Sequence, residues 1–135
     1  MMGYDTLLFD HRDDSRLIYI SLKENRTVIT RDTHIMERRA ITTGRLKALL
    51  ITSDNPRVQI YQVITGLGLD PNFNPFSLCL EDNQPLVSMD KEVIKDRLPP
   101  YVYQTQSQYM ECPLCHRIYW QGTHWQAMVE KLKQL

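Results

Sequence analysis

Cys112-Pro113-Leu114-Cys115, followed by the β-like run from Arg117 to Trp120, holds the residue types and spacing best suited to chemistry in this sequence. Two thiolates in one tight turn grip one face of a tetrahedral metal ion, so the motif reads as a zinc knuckle opening a ribbon strand. A second half-site must supply the remaining ligands. It is expected upstream, around Cys79-Leu80-Glu81-Asp82-Asn83, where one cysteine stands. The run Cys112-Pro113-Leu114-Cys115-His116 also matches the c-type haem attachment pattern. That chemistry needs export. The N-terminus, Met1-Met2-Gly3-Tyr4-Asp5, shows neither the basic nor the apolar region of a signal peptide.

A second set of candidates is acidic. In an open parallel sheet, ligands gather at the carboxyl ends of strands. Asp32 follows the β-branched run 27–30, and Asp13-Asp14 stand in the loop after the apolar run 4–9. Carboxylates on one rim could hold Mg²⁺ or Mn²⁺, hard cations that prefer oxygen and that assist phosphodiester hydrolysis. Arg31 could contact a phosphate. The same residues have a plainer reading, Asp-Asp as a helix cap and Asp after a strand as a turn, and both readings stand.

These residues need elements to position them. Residues 4–9 read as a first strand, and a helix capped by Asp13-Asp14 runs to about Asn25 with Leu17, Ile18, Ile20 and Leu22 as its buried side. A strand over 27–30, a brief helix to about Arg39 and an apolar strand over 46–51 follow. Asn55-Pro56 then caps and opens a helix that stops at Gly66 or Gly68. This alternation is that of a parallel α/β sheet. After Asp70 the texture changes: 71–75 is a linker, and short strands, turns and two small helices follow. The last helix carries Thr123 and Gln126 as a capping box and Trp125, Val129 and Leu132 as a packing stripe. The expected organisation is an α/β domain over 1–70 and a zinc-ribbon module over 71–135.

Composition fits one stapled domain of 135 residues, with 42% apolar residues to build a core. Lys plus Arg equals Asp plus Glu at 16 each, so any basic surface for nucleic acid must be local. Arg12, Arg31, Arg38, Arg39, Arg45 and Lys47 could form such a rim, or simply a solvated face. Three cysteines do not make a secreted disulfide framework, and no apolar run spans a bilayer, so a cytoplasmic location without membrane partners is expected. Tyr119, Trp120, His124 and Trp125, beside Gly122, could stack on unpaired RNA bases or pack ribbon against domain.

The C-terminal run Cys-Pro-x-Cys, then Ile118-Tyr119-Trp120-x-Gly122-Thr123-His124, resembles the signature of the Mut-seven C-terminal RNase family, PIN-like nucleases with a zinc ribbon attached. Gly3-Tyr4-Asp5-Thr6, Asp13-Asp14 with Leu17, 26–32, and Cys79-Leu80-x-x-Asn83-x-Pro85-Leu86 agree in order, so the resemblance covers nearly the whole chain. It implies a PIN-like three-layer parallel sheet and a metal-dependent ribonuclease acting on RNA. Asp14 and Asp32, helped by Asp13, would be catalytic; Arg31, Trp120 and His124 would bind substrate. The family pattern places a second cysteine where Asp82 stands, so Cys79, Asp82, Cys112 and Cys115 would hold structural zinc, with His116 as an alternative fourth ligand. The family also carries a strand bearing an Asp, and a helix, ahead of Gly3-Tyr4-Asp5-Thr6. This sequence begins at Met1-Met2 just before that motif, which implies a truncated sheet with an edge open to homodimerisation, and either a nuclease or an inactive binding module.

Overall fold

The computed structural model describes residues 2–133, without the side chains of 124, 128 and 131–133. The chain is a mixed α/β protein that divides into two compact units, Leu8–Asp70 and Met1–Leu7 with Pro71–Leu135. No helix among the described residues is long and apolar enough to cross a membrane.

The unit Leu8–Asp70 is built where the sequence places its caps. Helix α1 (Asp14–Lys23) starts because the Asp13 carboxylate accepts the Arg16 amide at 3.1 Å, relieving one of the unpaired donors of the first turn. Strand β1 (Val28–Thr30) leads into Asp32, whose carboxylate accepts the His34 amide at 2.8 Å and caps the short α2 (Thr33–Met36). The single brief helix expected here is two: α3 (Arg39–Thr42) follows after a break at Arg38. Strand β2 (Ala48–Leu50) pairs parallel with β1, Ile29 opposite Leu49. Helix α4 (Pro56–Leu67) has Asn55 as cap, Pro56 in its first turn and Gly68 in the left-handed region at its end. A Cβ on Gly66 would come within 2.8 Å of the Leu49 side chain, so its glycine lets α4 lie close on β2. Val28, Ile35 and Leu46 form the core, covered by Leu17, Ile18, Leu22, Ala40 and Ile41.

Of the expected parallel sheet the described residues form one pair, β1 and β2, and residues 4–9 form no strand. The reason lies in what the N-terminal residues bind instead. The Asn74 amide donates to the Met2 carbonyl at 3.0 Å, the Thr6 amide donates to the Asn83 side-chain carbonyl at 3.1 Å, and the Asn83 amide donates to Asp5 at 2.5 Å. Tyr4 stacks on Phe73 with ring centres 4.6 Å apart. Backbone groups committed to these partners are lost to a sheet ladder. Gly3 makes the arrangement possible: at φ 84°, a Cβ there would stand 2.0 Å from the Asn74 carbonyl oxygen. Gly3→Ala should therefore destabilise this unit by about 2 kcal/mol, from clash and backbone strain together. Chemical denaturation with an unchanged midpoint would refute it.

The rest of that unit is an antiparallel three-stranded sheet in the order β3 (Val87–Met89), β4 (Tyr109–Glu111), β5 (Ile118–Trp120). The connection from β3 to β4 carries a 3₁₀ turn (Lys95–Arg97) and the short helix α5 (Pro100–Thr105). Ile94, Leu98 and Tyr109 are buried against Met89, Val102, Ile118 and Trp120. The wholly buried Tyr109 donates its hydroxyl to the Val102 carbonyl at 2.9 Å and is also 3.0 Å from that of Gln106, so its polar end is satisfied. Helix α6 (Thr123–Lys133) begins at Thr123 itself, and the Gln126 amide bonds the Gly122 carbonyl at 3.0 Å. Thr123 is thus inside the helix rather than its cap, and the Leu132 side chain lies outside the described residues.

Candidate metal centre

Two tight turns bring four donors together. In the first, the Cys79 carbonyl accepts the Asn83 amide at 3.0 Å, and the Asp82 amide points at Cys79 Sγ from 3.4 Å. In the second, between β4 and β5, the Cys112 amide donates to the Arg117 carbonyl at 3.0 Å and the His116 amide to the Cys112 carbonyl at 2.9 Å. The ligand atoms of Cys79, Asp82, Cys112 and Cys115 all lie within 4.8 Å of one another.

The spacing suits zinc. Bond lengths near 2.3 Å to sulfur and 2.0–2.2 Å to oxygen, at tetrahedral angles, give edges of roughly 3.8 Å between sulfurs and 3.5 Å between sulfur and oxygen. Cys79 and Cys115 Sγ are 3.7 Å apart, and Asp82 Oδ2 is 3.5 Å from Cys79 Sγ and 3.4 Å from Cys112 Sγ. The site could therefore hold a metal ion such as zinc through three thiolates and one carboxylate. Cys112 is wholly buried, which denies it the reach a haem thioether would require.

Protonation within the cluster follows from crowding four acids. The Asp82 carboxyl is held below its usual range, first by the Cys115 thiol that donates to it. The same contact pushes the Cys115 thiol up to about 12. Burial pushes the Cys79 thiol up, but the Tyr119 hydroxyl at 3.1 Å, with the turn amides, brings it below its ordinary value. A cation that takes these positions must displace thiol protons, so loading is coupled to proton release.

His116 does not stand in the group of four donors; its Nδ1 is 3.1 Å from Glu111 Oε1. The sequence did not single out Glu111, though a carboxylate in β4 beside Cys112 was the available signal. Its side chain is only 8% exposed, and Arg97 Nη1 reaches both carboxylate oxygens at 3.2 Å while Arg97 Nη2 donates to the His116 carbonyl at 2.6 Å. The Arg97 guanidinium holds the Glu111 carboxyl below its usual range, with His116 adding to it. His116 sits at φ 59°, and the Arg97 contact helps fix that left-handed turn after Cys115. Arg97→Met should leave a buried carboxylate short of its partner and lower stability by about 2 kcal/mol, read in urea with zinc present in both proteins. An unchanged midpoint would show that the pair contributes nothing net.

The other expected site residues are not gathered in this way. Asp13 and Asp32 are exposed caps, half-buried Asp14 pairs with Arg38 at 3.4 Å, and Arg31 pairs with Asp54. Among the described residues, Asp13, Asp14 and Asp32 do not form a group of three metal donors. Trp120 is half-buried at the end of β5, and the His124 side chain lies outside the described residues.

The family model for the Mut7-C RNAse domain matches residues 1–132. No curated protein and no solved structure matches the chain.

Proposed function

Since the chain belongs to the Mut7-C RNAse domain family, we propose that it is a ribonuclease that hydrolyses RNA phosphodiesters with the help of Mg²⁺ or Mn²⁺. The family match over 1–132 is the observation that supports this reading most directly. The parallel pair β1–β2 with its helices is read as the PIN-like part, and the three-stranded antiparallel sheet as the zinc ribbon. Zinc at Cys79, Asp82, Cys112 and Cys115 is structural, tying the turn after residue 78 to the β4–β5 turn.

On this reading Asp32, at the carboxyl end of β1, and Asp14, at the start of α1, are the metal-binding carboxylates, with Asp13 beside them. They do not make a three-ligand cage, but Mg²⁺ commonly takes one or two carboxylates and fills its shell with water and substrate phosphate. As caps, Asp13 and Asp32 each engage one carboxylate oxygen, Oδ1, with a backbone amide. The ion would supply Lewis acidity at the phosphodiester. Arg31 would steer a phosphate to the same rim by exchanging Asp54 for it, and Arg38 would hold Asp14 in place.

A second reading, a non-catalytic RNA- or protein-binding module of the same fold, is favoured by one observation: each of the three carboxylates already has a structural partner. Incubation of end-labelled single-stranded RNA with Mn²⁺ separates the two. Turnover dependent on Mn²⁺ supports the nuclease; tight RNA binding with no turnover supports the module.

A further inference from the structure

Beside the metal centre, in the same unit, lies an open cleft of about 470 Å³ with mostly apolar walls. That is the size range of small-molecule sites. Its walls include five aromatic rings, Phe76, Tyr101, Tyr119, Trp120 and Trp125, gathered from four separate parts of the chain. Phe76 and Trp125 meet edge to face at 6.3 Å, so these two rings are set by each other. Tyr119 is pinned by its hydroxyl, which lies 3.1 Å from Cys79 Sγ and accepts the Leu80 amide at 3.3 Å. Tyr101 is different: it lines the cleft yet is 73% exposed.

Gln106 brings the one side-chain amide to this lining, where Thr105 and Thr123 add hydroxyls. The Gln106 carbonyl on the backbone is used by Tyr109 at 3.0 Å and by Lys91 Nζ at 3.1 Å, but its side-chain amide makes no hydrogen bond among the described residues. An amide offers a donor and an acceptor side by side, the pattern that reads the edge of a nucleobase. Lys91 Nζ, outside the lining but bonded to the Gln106 backbone carbonyl, places a positive charge at that residue, which would favour the phosphate of a bound nucleotide over an apolar peptide.

We infer that this cleft takes one unstacked base of single-stranded RNA, stacked on Tyr101 and read at its edge by Gln106. The inference rests on the RNA reading given above, and it assigns recognition to the ribbon unit rather than to the acidic rim. Bases that project from an unpaired strand are commonly held on aromatic faces, and each such stack is worth a large factor in affinity.

The test is binding of a fluorescently labelled five-nucleotide RNA, without added Mg²⁺ or Mn²⁺, against the same backbone carrying abasic positions. The base-bearing RNA should bind at least tenfold more tightly. Tyr101→Ala, at an exposed ring, should remove about tenfold of that affinity and leave the abasic affinity unchanged. Gln106→Met keeps the volume and should weaken binding several-fold. Equal affinity for the two RNAs, or full affinity in both variants, overturns the assignment. So does RNA binding untouched by Tyr101→Ala together with a change in oligomeric state, which gives the cleft to a second copy of the chain. Cleavage with Mn²⁺ despite base-independent binding would sink the cleft and spare the nuclease. Base-dependent binding without cleavage would do the reverse.

Discussion

Cys112→Ser should release about one equivalent of zinc per chain and unfold, or nearly unfold, the antiparallel unit. Cys112 has no exposed surface and its Sγ stands 3.4 Å from Asp82 Oδ2, so serine changes little in volume and a great deal in ligand chemistry. The sheet beside it is small: each of β3, β4 and β5 has three residues, and the largest fully buried side chains among the described residues are Tyr109, Ile94 and Cys112. A core of that size supplies a few kcal/mol at most, whereas structural zinc in comparable small folds contributes about 10 kcal/mol or more of apparent binding energy. A strong chelator should therefore lower the melting temperature of the wild type toward that of the variant, and leave the variant where it was. Elemental analysis finding no zinc in the wild-type protein, or a chelator without effect on its stability, would defeat the prediction.

The cluster was legible in part because ligand chemistry is local. Cys112-Pro113-Leu114-Cys115 announces its turn by spacing, whereas Asp82 was reached through the resemblance, which places it at the family's second upstream cysteine. Caps were legible for the same reason: Asp13 and Asn55 each accept an amide two or three residues away, and Asp32, read as a turn residue, caps α2 in the same way. What could not be read is set by distant partners. Residues 4–9 have the apolar run of a strand, yet Thr6 binds Asn83 across 77 positions and Gly3 fits under Asn74. No periodicity carries that information, and the loss of this one strand is what reduces the expected parallel sheet to two strands. The same holds for the aromatic cleft. Tyr119, Trp120 and Trp125 lie close in sequence and suggested a cluster, whereas Phe76 and Tyr101 join them only through the fold. Glu111 went unnoticed in the sequence because Arg97, its partner, is 14 residues away.

Asp32→Asn should abolish Mn²⁺-dependent RNA cleavage while leaving the fold intact, a combination that the position of Asp32 makes unusually informative. The Asp32 side chain does two jobs on the proposed reading. Oδ1 accepts the His34 amide and starts α2, and the charge holds the cation at the end of β1. Asparagine is about as good a helix cap as aspartate, because its amide oxygen accepts the same hydrogen bond, so the cost in stability should stay within about 0.5 kcal/mol. It cannot supply the anionic charge. Loss of one carboxylate from a site with only two or three should lower the cleavage rate by about a hundredfold or more at fixed Mn²⁺, partly recoverable at higher concentration if affinity is what fails. Asp32→Ala separates the contributions further: it should lose both the cleavage and about 1 kcal/mol of stability through the missing cap. If Asp32→Asn cleaves as fast as the wild type, Asp32 is a cap and nothing else, and the acidic rim of β1 is not the catalytic site. If neither protein cleaves, the structural partners of Asp13, Asp14 and Asp32 become the whole account of those residues, and RNA binding is what the fold retains.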